Sequence, residues 1–95
     1  MRRVALVLDR RDNVAIALRD LRKGERVRVE VNGGVIEVTL LDDVPFGHKF
    51  AIREVREGEY IVKCGEVIGR ATRLIKVGEH VHVHNVESVR FSPRT

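Results

Sequence analysis

Ala51-Ile52-Arg53-Glu54-Val55-Arg56-Glu57-Gly58-Glu59-Tyr60-Ile61 is a phrase that the chain uses three times. It recurs as Ala17-Leu18-Arg19-Asp20-Leu21-Arg22-Lys23-Gly24-Glu25-Arg26-Val27 and as Ala71-Thr72-Arg73-Leu74-Ile75-Lys76-Val77-Gly78-Glu79-His80-Val81. Each copy carries Ala, Arg two residues on, an aliphatic four on, then Gly-Glu and an aliphatic two beyond the Glu. Ala and the aliphatic four residues later share one face of a helical turn. Gly in the left-handed conformation ends such a turn, so the phrase predicts a single helical turn that delivers the chain into a strand. Copies beginning at 17, 51 and 71 are unequally spaced. That argues against an even solenoid and for a small fold that reuses one corner.

Between the corners the pattern is β. Val27, Val29 and Val31 alternate with Arg28 and Glu30, and Asn32-Gly33-Gly34 reads as a tight hairpin turn. Ile36, Val38 and Leu40 form the inward face of the return strand. Asp42 to Lys49, with Pro45 and Gly47 as breakers, reads as a loop. Gly65 and Gly69 flank a short Val67-Ile68 strand, and Val81, Val83 and Val86 supply a last inward face. The expectation is an all-β domain over residues 1–91, with short strands and single helical turns, followed by a loose tail over residues 92–95.

Composition agrees. Ninety-five residues hold one core of ordinary volume. A 43% hydrophobic share with 34% charged residues is that of a globular chain, and 17 valines against 4% aromatics favour strands. No stretch approaches the roughly 20 apolar residues of a membrane helix. Val4–Leu8 is shorter than the apolar region of a secretory signal, about 7–15 residues, and reads as a strand. The single cysteine, Cys64, excludes an internal disulfide and points to a reducing, cytoplasmic setting. Absence of Gln beside abundant Glu, Arg and Lys leans towards a thermophilic source. The net charge of +4 raises nucleic acid as a partner. However, Arg residues are distributed through the chain, frequently beside Asp or Glu, and few aromatics are available to stack on bases.

Three of the four histidines fall within His80-Val81-His82-Val83-His84. In a strand these imidazoles share one face, and a His-x-His pair such as His82 and His84 can chelate one metal ion. His48, in the Gly47-His48-Lys49 loop, joins them if the fold brings that loop near. The first copy of the phrase carries Arg26, Arg28 and Glu30 at the matching positions, so the scaffold does not require histidine there. A solvated polar face, a contact between subunits and donation to an anionic substrate remain alternatives to metal. Lys49 and Lys63 are candidate carboxylate ligands, Cys64 reads as a small buried apolar residue, and Asp42-Asp43 as ordinary loop acids.

Several blocks together resemble the SAF domain of the altronate/galactarate dehydratase family. They are Asp12-Asn13-Val14-Ala15-Ile16-Ala17-Leu18, Gly47-His48-Lys49-Phe50-Ala51, Lys63-Cys64-Gly65 with Ile68-Gly69, and Gly78-Glu79-His80-Val81-His82-Val83-His84-Asn85. The likeness covers about residues 3 to 86 and extends to the small subunit of sulfolactate sulfo-lyase. Cys64 departs from it, because an aromatic is more usual there. The resemblance implies a β-clip fold and a part in β-elimination from hydroxy acids. It implies a divalent metal, iron or manganese, held mainly by a larger domain or subunit that accompanies this one. Carried onto this chain, it assigns His48, Lys49, His82 and His84 to catalysis. His80 and Asn85 are assigned to substrate, where Lys63 joins them as a candidate carboxylate ligand, and His82 and His84 to the metal.

The leading expectation is therefore a non-autonomous small subunit of a sugar-acid dehydratase, inactive alone, with a large dehydratase subunit as partner. The alternatives are a stand-alone module binding sugar acids or metal without catalysis, and the small subunit of a sulfolactate sulfo-lyase. Neither nucleic acid nor membrane is an expected partner, and a homodimer is left open.

Overall fold

The computed structural model describes residues 3–89; the tail expected over residues 92–95 lies outside the described residues. Alternation along two short strands sets the layering. In β2 (Val14–Ala17), Val14 enters one hydrophobic cluster while Ala15 and Ala17 enter another. In β5 (Lys49–Ala51), Phe50 and Ala51 divide the same way. These strands are neighbours in an antiparallel sheet ordered β1 (Ala5–Leu6), β2, β5, β8 (His80–Val81). Successive side chains of a strand point to opposite faces, so this sheet separates two cores.

A hairpin contributes to each core. The hairpin of β3 (Arg26–Val31) and β4 (Gly34–Thr39) gives Val27, Val29 and Val38 to the first. That of β6 (Tyr60–Lys63) and β7 (Glu66–Ala71), flanked by β9 (Val86–Ser88), gives Ile61 and Ala71 to the second. Phe50, Leu21, Leu40, Ile61 and Ile75 are fully buried, each contributing about 1.5–3 kcal/mol by removal from water. Ile36, expected inside, is partly exposed near the hairpin tip.

Both hairpins close through two residues at positive φ, Asn32-Gly33 at 50° and 83° and Cys64-Gly65 at 52° and 79°. That pair of values defines the type I′ turn, whose twist matches that of the flanking strands. Cys64 is consequently exposed rather than buried: it occupies the turn position that Asn fills in the other hairpin, where the side chain points away from the sheet.

The described residues form an all-β structure, and no helix among them is long and apolar enough to cross a membrane. The single helical turns expected at the repeated phrase are absent. Ala and the aliphatic four residues later are both buried because the first ends or borders a strand and the second forms a β-bridge, Leu21 with Val44 and Val55 with Ile75. The glycine sits in a tight turn closed by Glu25 N–H to the Arg22 carbonyl, Glu59 to Arg56 and Glu79 to Lys76, each at 3.0 Å. Spacing of four therefore reports bridging rather than helical periodicity.

A fourth corner is present where a loop was expected. Leu40, Val44 and Gly47 stand as Ala71, Ile75 and Gly78 do, and the His48 N–H closes the turn on the Pro45 carbonyl at 2.9 Å. The two halves match bond for bond. Gly24 N–H donates to Leu40 as Gly58 does to Ala71, and Gly47 donates to Ala17 as Gly78 does to Ala51, all at 2.8 Å. The domain is thus a pseudo-twofold duplication built on one shared sheet.

Candidate functional site

The shared sheet brings together the corners that turn at Gly47 and Gly78, because β5 pairs with β8 in the register Lys49↔Val81 and Phe50↔His80. His48 leaves one corner and His80 the other, and their rings meet: His48 Nδ1 lies 2.9 Å from His80 Nε2. The His82 ring stacks on His48 with centroids 4.4 Å apart and planes 22° apart. One nitrogen from each of His48, His80 and His82 lies within 4.8 Å of the others.

A substitution within the repeat explains why position 48 is available. In three corners the glutamate after glycine folds back to accept the N–H at the start of its own turn. These bonds join Glu25 to Arg22, Glu59 to Arg56 and Glu79 to Lys76, each at 2.7 Å. The corresponding residue in the fourth corner is Pro45, which has no N–H. Position 48 has no capping duty there, and an imidazole occupies it.

The strand carrying the other histidines is shorter than their alternation predicts. β8 ends at Val81, and the chain turns so that the Asn85 N–H bonds the His82 carbonyl at 3.1 Å. Asn85, expected at substrate, is fully buried. Its Oδ1 accepts the His82 N–H at 3.0 Å and its Nδ2 donates to the His80 carbonyl at 2.9 Å, so it fixes the backbone that carries both imidazoles. Val83, expected inside, is 82% exposed at the tip of this turn. His84 is also exposed, with its ring 5.4 Å from that of His80 and outside the trio. Asp42, read as an ordinary loop acid, accepts the His80 N–H through Oδ2 at 3.0 Å. Its role depends on cross-strand registration that sequence spacing does not display.

Burial and neighbouring charge act on two of these imidazoles. Partial burial, then the neighbouring His48, His84 and His82, hold His80 below the ordinary histidine range, against an opposing pull from Asp42. Desolvation, then His48, Lys49 and His84, lower His82. Lys49 is half-buried and lowered first by burial and then by Lys63, which places the two lysines within each other's field. Lys49 and His82 line a shallow cleft of about 200 Å³ together with Ile68, Val81, Val83 and Val86. Neutral imidazoles are metal ligands and proton acceptors, and a set of three nitrogens suits a borderline divalent ion.

Residues 3–89 match the family described as the altronate/galactarate dehydratase SAF domain, and the chain belongs to that family. It is 46% identical to the altronate dehydratase of Bacillus subtilis over 85% of its own length and 16% of the relative's. Against the altronate dehydratase of Escherichia coli the identity is 44%, over 81% of this chain and 15% of the relative. It is 45% identical to the (2R)-sulfolactate sulfo-lyase subunit alpha of Chromohalobacter salexigens, over 59% of this chain and 60% of the relative. The chain thus spans about one-sixth of the length of the altronate dehydratases it matches.

Proposed function

We propose that this chain is the small, non-autonomous SAF part of a metal-dependent sugar-acid dehydratase, of altronate or galactarate type, eliminating water from a hydroxy acid. One observation carries this reading: three imidazoles and a half-buried lysine converge on a single open edge, in a member of a dehydratase family. The cleft beside them is shallow, whereas pockets for small molecules enclose most of the ligand in about 300–1,000 Å³. The large dehydratase subunit supplies the missing walls.

Lys49 and Lys63 attract the substrate carboxylate. His84, exposed beside the trio, takes the α-proton. The electron pair left on the α-carbon forms the double bond as the β-carbon–oxygen bond breaks, and His84 returns its proton to the departing hydroxyl, which leaves as water. His48, His80 and His82 are the residues that would hold a divalent ion, whose Lewis acidity would steady the charge on the hydroxy-carboxylate. Asn85 and Asp42 keep those imidazoles in register.

A second reading, the small subunit of a sulfolactate sulfo-lyase that releases sulfite, is favoured by one observation: the matched relatives of comparable size are named subunit alpha of that enzyme. The test combines the chain with its cognate large subunit and assays altronate, galactarate and sulfolactate. Turnover of a sugar acid by the pair and none by the chain alone is expected. Robust activity of the isolated chain refutes the subunit role, sulfolactate turnover selects the second reading, and tight sugar-acid binding without turnover by the pair indicates a binding module.

A further inference from the structure

We infer that the chain is a metal-binding protein in its own right, with His48, His80 and His82 as a mononuclear three-imidazole site that takes a borderline transition ion and leaves its remaining positions open. The ligand set differs from the His82 and His84 pair suggested by strand alternation. This inference stands independently of the dehydration reading, because the site belongs to one chain whatever the substrate.

Four observations support it. The three nitrogens already lie within 4.8 Å of one another. A metal–nitrogen distance of about 2.0–2.1 Å puts tetrahedral donor atoms about 3.3 Å apart, a closure that rotation of partly exposed side chains can supply. The donors come from two corners tied by the β5–β8 ladder, so their separation is fixed by backbone pairing. The backbone on the His80–His82 side is held twice, by Asn85 across the turn and by Asp42 at the His80 N–H. Finally, Pro45 frees position 48 from the capping role that glutamate performs in the other three corners.

A hydrogen-bonded histidine pair would account for His48 and His80 alone. It gives no reason for His82 to stack on His48 at 4.4 Å with planes 22° apart. Imidazole donors favour Zn²⁺, Co²⁺, Ni²⁺ and Fe²⁺ over Mg²⁺ and Ca²⁺, which require oxygen ligands. His84 is exposed with its ring 5.4 Å from that of His80, but it is not among the three residues whose nitrogens converge.

Titration of the isolated chain with Co²⁺ tests the site, read by visible d–d absorption and by calorimetry in a non-chelating buffer at pH 7.5. One ion per chain is expected, undisturbed by millimolar Mg²⁺ or Ca²⁺. His48→Ala, His80→Ala and His82→Ala should each weaken binding at least 100-fold, and His84→Ala less than threefold. Circular dichroism checks the fold of each variant, and His→Gln replaces any alanine variant that fails to fold. Absence of Co²⁺ binding at millimolar concentration, displacement by Mg²⁺, or a His84→Ala loss equal to that of His48→Ala would overturn the inference. Co²⁺ binding with no dehydratase activity in the assembled pair would leave this site standing and sink the proposed reaction.

Discussion

Replacing Asn85 by Ala isolates the contribution of one buried side chain to the site. Its amide bridges the His82 N–H at 3.0 Å and the His80 carbonyl at 2.9 Å, and the residue is fully excluded from solvent. Truncation leaves one donor and one acceptor without partners, at about 1–3 kcal/mol each, so a loss of about 3 kcal/mol is expected in total. A domain of this size holds about 5–14 kcal/mol. A shift of about 4–8 °C per kcal/mol lowers Tm by about 12–24 °C. In urea the midpoint falls while the slope stays constant. Asn85→Asp supplies the sharper control. The carboxylate still accepts from His82, but it sets an oxygen against the His80 carbonyl, so burial and that contact raise its folded pKa above the unfolded value near 3.9. Stability relative to wild type is therefore greatest at low pH, where the protonated acid can donate, and is lost as pH rises through the raised pKa. A change below about 0.5 kcal/mol for Asn85→Ala, within the scatter of ordinary surface substitutions, would refute the clamp. So would an Asn85→Asp variant that gains stability, relative to wild type, as pH rises.

Three further outcomes follow from the corners. Gly78 has φ +93° and an added Cβ would collide with the Thr39 carbonyl oxygen, whereas Gly58 at φ +88° faces open space. Gly58→Ala should cost about 1–2 kcal/mol for the left-handed backbone alone, and Gly78→Ala enough more to separate the two clearly in a thermal melt. Glu59→Ala removes the cap on the Arg56 N–H at 2.7 Å and should cost about 0.5–1.5 kcal/mol, while His48→Ala, which caps nothing, should cost less; equal losses would contradict the role assigned to Pro45. Glu25 is held below the ordinary glutamate value of 4.5, first by its hydrogen bond with Arg19 and then by that with the Arg22 N–H. Its contribution is present above the unfolded pKa and is lost as pH falls through the lower folded one. Glu25→Gln should therefore be less stable than wild type at pH 7 and match it near pH 2, by urea denaturation at each pH.

Much of the fold was legible because β patterning and turn chemistry are local. Val27 and Val29 alternate inward as written, and the Asn32-Gly33 hairpin turn announces itself, whereas the Cys64-Gly65 turn is masked by a cysteine that reads as buried. The repeated phrase was legible as a unit but not as a shape: spacing of four between Ala17 and Leu21 serves a bridge as well as a helix, and only the partner strand decides between them. The fourth corner escaped notice because its alanine, arginine and glutamate are replaced by Leu40, Asp42 and His48. The histidine face was visible in composition, yet its membership depended on contacts distant in sequence. His48 enters from 32 residues away, and the turn fixed by Asn85 carries His84 out of the trio. A rule based on alternation cannot foresee where a strand ends when the terminating interaction is one buried amide.

The two hydrophobic clusters on either side of one sheet have a consequence for cooperativity. Val14 and Ala15 are adjacent in sequence yet support opposite lobes, as do Phe50 and Ala51. Loosening either lobe removes the backing from strands on which the other depends, so the duplicated halves cannot melt separately despite their likeness. A cavity cut far from the histidines, by Val29→Ala in one lobe or Ile75→Ala in the other, should reach the imidazole edge through the same two strands. Unfolding followed by near-ultraviolet and amide-exchange probes on the two lobes should then coincide in a single transition.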